Sequence, residues 1–209
     1  MSKFRNIISV LTISDAYTLG MLIIYSFLCL LFWNQLEAPL LNLITYILVS
    51  TAVIGFAVIS SKYKGGKLFT LVRRLYIIPV VFFIYSNIHL FIPLVNPDDY
   101  DNVLIAWDYA IFGVNPTEWL GPFATPIFTE YLQMSYMMFY VIPFVLGVEF
   151  TLREKDDRFF EFARIVIFGF FVSYLLYFFM PAIGPRFTVH DFAALNTELP
   201  GLFLTNAFR

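Results

Sequence analysis

Five apolar runs, each about the length of a bilayer crossing, leave this chain few ways to fold. They cover residues 17–33, 40–61, 75–95, 131–152 and 159–183. A hydrocarbon core about 30 Å thick takes roughly 20 residues of helix to cross. Inside it, every backbone N–H and C=O has to find its partner within the protein, which a helix does segment by segment. The expected fold class is therefore all-α. It is a polytopic transmembrane helical bundle of five spans, forming a single membrane domain over residues 1–209.

The basic residues give this bundle a direction. Eleven of the thirteen Lys and Arg residues fall in three blocks: Lys3 and Arg5; Lys62, Lys64, Lys67, Arg73 and Arg74; and Arg153, Lys155, Arg158 and Arg164. The segments 35–39 and 96–129 between the other span ends hold none. Lys and Arg collect on the cytoplasmic side of membrane proteins. The N-terminus is thus expected inside, with successive span ends alternating and the tail from Pro181 outside. A bacterial inner membrane is the expected location.

Composition excludes other classes. Apolar residues make up 60% of the chain against about half in soluble domains, and only 13% of residues are charged, in clusters. No basic tract suits nucleic acid. The N-terminus lacks the small-residue cleavage site of a signal peptide. Cys29 is the sole cysteine and lies within the first run, where it reads as a core residue rather than a reactive thiol. Ser14-Asp15 is positioned to cap the first helix, and Gly65-Gly66 reads as a turn.

The stretch between the third and fourth runs is too long for a simple connector. Tyr100, Val103, Leu104, Trp107 and Ile111 recur at helical spacing, with Asp101 and Asp108 beside that face. This predicts a helix lying in the outer interface, anchored by Trp107 and Tyr109. Gly113, Pro116, Gly121, Pro122 and Pro126 punctuate the remainder of the loop, with a short helix near Glu118-Trp119-Leu120. The tail 187–209 is half apolar but too interrupted to span, and the chain is expected to continue beyond Arg209.

Arg186 breaks the charge rule, since it lies on the outer side at the mouth of the fifth run. Pro181 and Pro185 are expected to end the helix there, so that the guanidinium emerges over the membrane surface. Its planar fork matches phosphate oxygens; the plainer alternative is an arginine snorkelling to lipid headgroups. His89, inside the third run, is either a substrate-binding group or a neutral imidazole bonded to a neighbouring helix. Asp108 either holds a polar part of a substrate, or pairs with Arg186, or solvates the interfacial helix. His190 follows Arg186 by four residues and joins the substrate-binding candidates. No metal or cofactor is expected. Tyr131, Tyr136 and Tyr140 read as packing.

The segment Tyr177-Phe-Phe-Met-Pro181-Ala-Ile-Gly-Pro-Arg186-Phe resembles the first signature of the type 2 phosphatidic acid phosphatase superfamily. The branch it is most similar to includes inositol phosphorylceramide synthases. Trp107-Asp108-Tyr-Ala-Ile-Phe112-Gly113-Val-Asn115-Pro116 and Tyr136-Met-Met-Phe-Tyr140-Val-Ile-Pro143 are similar to that branch too. The resemblance implies a membrane-embedded phosphatase or phosphotransferase. Its substrate would be a membrane lipid or lipid-linked phosphate at the extracytoplasmic face, with Arg186 on the phosphate. A lysine seven residues before Arg186 belongs to the family's clamp, and Phe179 stands there. The family's Pro-Ser-Gly-His signature and its nucleophilic histidine have no match, so the resemblance implies a nucleophile beyond Arg209 and an inactive 209-residue chain. The competing expectation is a non-enzymatic membrane protein, a transporter subunit or lipid-binding scaffold, with Arg186 holding a headgroup.

Overall fold

A computed structural model describes residues 9–63, 65–184, 200–203 and 205. Among them the secondary structure is helical throughout: α1 (Ile13–Leu31), α2 (Pro39–Lys62), α3 (Lys67–Leu75), α4 (Ile77–Ile88), α5 (Ile92–Val95), α6 (Asp101–Phe112), α7 (Pro116–Leu120), a 3-10 turn at Gly121–Phe123, α8 (Pro126–Leu152) and α9 (Asp156–Leu176). Five stretches are long and apolar enough to cross a membrane: α1, α2, the run Lys67–Ile88 formed by α3 and α4, α8 and α9. The chain is an all-α integral membrane protein.

The helix ends depart from the edges of the apolar runs for local reasons. α1 starts four residues before residue 17, because Thr12 caps it, not Ser14. The Thr12 hydroxyl accepts from Asp15 N at 3.2 Å, and the Asp15 carboxylate accepts from Thr12 N at 2.9 Å, a reciprocal capping box. The third run starts at Lys67 rather than residue 75, so Arg73 and Arg74 stand on a helix instead of in a loop. Pro79 lacks the N–H that would bond the Leu75 carbonyl, which accounts for the break between α3 and α4. α9 ends at Leu176, short of residue 183, and a turn carries the chain on to Pro181.

The chain packs as two compact units. The first comprises Met1–Asn96 with Val145–Phe178, the second Pro97–Phe144 with Phe179–Arg209. In the first unit α1 packs against α2, α4 and α9. Its buried stripe is Met21, Leu22, Tyr25 and Cys29, facing Tyr46 of α2, Ile77, Val81, Ile84 and Ile88 of α4, and Ile167, Phe171 and Tyr174 of α9. Each set repeats at three- and four-residue steps, the period of one helix face. Polar atoms in this core are satisfied. Tyr25 donates to the Ile84 carbonyl at 3.0 Å, and Tyr46 donates to Asn87 Oδ1 at 3.2 Å. Helix hydroxyls such as Ser26, Thr45 and Ser50 bond the carbonyl four residues back. Outward faces carry Ile23, Phe27, Leu41, Leu48 and Ile165, all exposed, as a lipid-facing surface requires.

The second unit contains α6, α7 and the first part of α8. Gly113 closes α6 at φ 72°, a left-handed position that suits glycine. Asn115 then caps α7, accepting from Thr117 N at 3.1 Å and from Thr117 Oγ1 at 2.8 Å. Pro116 follows at the first helical position, where its missing N–H costs nothing.

Candidate functional site

The second unit brings α6 to the chain just before Arg186. Asp101, in the first turn of α6, is 3% exposed. Its carboxylate accepts from Ile183 N at 3.0 Å and from Gly184 N at 3.1 Å to each oxygen. One residue earlier, Tyr100 N donates to the Pro181 carbonyl at 2.9 Å. Asp99 holds the start of this turn by accepting from Asp101 N at 3.0 Å. The stretch of backbone 181–184 is thereby tied at three of its polar groups. Gly184 sits at φ 105°, a conformation that side chains resist, so a glycine is needed at this grip. Hydrogen bonds from backbone N–H to an ionised carboxylate are among the stronger ones a protein makes.

Of the four site residues expected from sequence, Arg186 and His190 lie outside the described residues. Asp108 is half-buried and lies seven residues after Asp101, hence on nearly the same helix face and about 10 Å along the axis. Its carboxylate makes no hydrogen bond or ion pair with another described residue. His89 belongs to the first unit, at the end of α4, and is exposed. Its Nδ1 lies 2.8 Å from the Ser86 carbonyl. A carbonyl only accepts, so Nδ1 carries a proton. The bond is to its own helix, not to a neighbour.

Asp101 is the residue that sequence reasoning passed over. Its spacing put it beside the apolar face of α6, which reads as solvation. In the structure the aspartate is buried, while Trp107, Tyr109, Ile111 and Phe112 of the same helix are exposed, as an interfacial face would be. The only signal was its place in the first turn of a helix, where carboxylates are common for another reason.

A second polar cluster lies in the first unit. Asp15, 1% exposed, receives Arg73 Nη2 at 2.6 Å and Nη1 at 3.3 Å, a two-pronged contact, and also the Tyr76 hydroxyl. Arg73 Nε donates to Ser60 Oγ at 3.0 Å, and the guanidinium stands 5.0 Å from the Tyr76 ring centre. This set joins α1, α2, α3 and the α3–α4 junction by polar bonds with every charge answered. It reads as a structural clasp, because both Asp15 oxygens and all three Arg73 nitrogens bond within it.

No family model, curated protein or solved structure matches the chain. Fold and geometry therefore define the class alone: an all-α integral membrane protein with a carboxylate-anchored backbone turn leading into Arg186.

Proposed function

We propose that this protein carries out phosphoryl-group chemistry on a lipid-linked phosphate at the extracytoplasmic face of its membrane, the N-terminus being cytoplasmic. Arg186 binds the phosphate and stabilises the charge that grows on its oxygens in the transition state. The reading takes a histidine outside residues 1–209 as nucleophile, with water or a lipid-type hydroxyl as acceptor. The observation that supports it most is the anchoring of Ile183 and Gly184 by Asp101. A charged side chain that works on a substrate needs a fixed backbone beneath it, and one that merely reaches for headgroups does not. The outer-loop motif and the Pro181–Arg186 motif, both similar to the phosphatidic acid phosphatase superfamily, also meet in this one unit.

The test compares Arg186→Lys and Asp101→Asn in the complete gene product, measuring turnover of a phosphorylated lipid and folded yield together. Arg186→Lys is expected to lower turnover about tenfold or more with folded yield kept, because the bidentate contact goes. Asp101→Asn is expected to reduce kcat more than it raises KM. Parallel loss of yield and turnover in both variants overturns the catalytic reading.

A second reading is favoured by one sequence observation, Phe179 at the position where the family's phosphate clamp carries a lysine. In it the protein is a lipid-binding scaffold or transporter subunit, and Arg186 holds a headgroup without reacting. Saturable lipid binding with no phosphate release from the complete gene product decides for it.

A further inference from the structure

We propose that the first unit holds a separate anion site built on Arg74, which takes the phosphate of an amphiphile. Arg73 and Arg74 are adjacent in sequence but differ in what surrounds them. Each of the three Arg73 nitrogens has a partner, Ser60 for Nε and Asp15 for Nη1 and Nη2. Arg74 is buried, with 8% of its side chain exposed, and its Nη2 meets Asp156 at 2.5 Å. Its Nη1 is buried with no hydrogen-bond partner among the described residues. Buried guanidinium N–H groups are nearly always paired, so a lone one marks a place where an acceptor belongs.

Arg74 stands in the wall of a cavity of about 410 Å³. Among the described residues the charged ones of that wall are Arg73, Arg74 and Asp15, a formal sum of +1 (two arginines less one aspartate) before Asp156, the partner of Arg74 outside the wall, is counted. Asp15 is consumed by Arg73 and Tyr76, and Asp156, which faces Arg74 from α9, is 61% exposed and so screened by solvent. An anion entering the cavity thus meets one guanidinium whose charge is incompletely answered. The Arg74 guanidinium is held 5.0 Å from the ring centre of Phe159 and 5.7 Å from that of Phe160, which fixes its position before any ligand arrives.

The rest of the wall says what the anion is attached to. Phe159, Phe160, Ala163 and Ile167 supply apolar lining, and Tyr63 and Thr70 belong to the same wall. Mixed walls of this kind fit a molecule with an anionic phosphate and an apolar tail. This site is independent of Arg186 and of any reaction there, so either proposal survives the failure of the other.

The test uses the 209-residue protein in a nonionic detergent and three probes: dioctanoyl phosphatidylglycerol, dioctanoylglycerol as the uncharged control, and inorganic phosphate. Arg74→Gln is expected to weaken binding of phosphatidylglycerol about tenfold, the scale of one charged hydrogen bond. Asp156→Asn removes the competing carboxylate on an exposed residue and is expected to tighten binding severalfold, so the site stays testable if Arg74→Gln does not fold. Saturation by phosphatidylglycerol, tighter than by phosphate, is the expected result; saturation by phosphate alone overturns the amphiphile. The proposal is overturned if neither phosphorylated probe saturates, if dioctanoylglycerol binds as well as they do, or if affinity is unchanged in whichever of the two variants folds.

Discussion

Two aspartates in this chain look alike in sequence and are used in the same physical way. Asp15 and Asp101 each lie in the first turn of a helix, are almost wholly buried, and take their donors from far along the chain. Burying a carboxylate is costly unless its oxygens are filled, and removing one partner of a buried pair leaves the other charge stranded. Asp15→Ala is expected to destabilise the first unit by about 3–5 kcal/mol, since Arg73 is only 14% exposed. Replacing both partners, Asp15→Leu with Arg73→Met, is expected to restore most of that loss. Thermal unfolding of the three variants in detergent checks this; a loss of roughly 0–1 kcal/mol for Asp15→Ala places the pair with ordinary surface salt bridges instead.

At the scale of elements, the helices themselves were legible and their ends were not. Five runs of sufficient length gave five long helices, because hydropathy and helix period are local properties. Ends depend on individual side chains. The start of α1 was hidden because Thr12 and Asp15 act as a reciprocal pair, while Ser14-Asp15 alone suggested a cap two residues later. Thr12→Ala is expected to cost ~1 kcal/mol of stability and Thr12→Ser close to nothing, measured by the same unfolding assay. Equal losses would show that the methyl group, not the hydroxyl, matters at this position. The start of α3 was misplaced because Arg73 and Arg74 read as loop residues. What lets them sit on a helix is Asp15 on α1 and Asp156 on α9, 58 and 82 residues distant in sequence. The candidate site was half legible for the same reason. The Pro181–Arg186 motif and the α6 pattern stand out locally, but the carboxylate that joins them acts across 82 residues, which no spacing rule reveals.

For the molecule as a whole, the arrangement of basic blocks makes a prediction about sidedness. Cys29 is buried and is the only thiol, so the natural chain is expected to stay unlabelled by an impermeant maleimide while folded. A cysteine introduced at the exposed Asn102 is expected to react in intact cells, and one at the exposed Lys67 only after lysis. The reverse pattern inverts the bundle and moves Arg186 to the cytosol, away from the face assigned to it.

The grip on Ile183 and Gly184 also constrains how the protein is made. When the ribosome has finished α6, the donors that Asp101 needs have not been translated. Both later hydrophobic helices have to enter the translocon first. Until then the carboxylate has no backbone donors from that segment, so the turn at residues 181–184 takes shape only after both of those helices have been made.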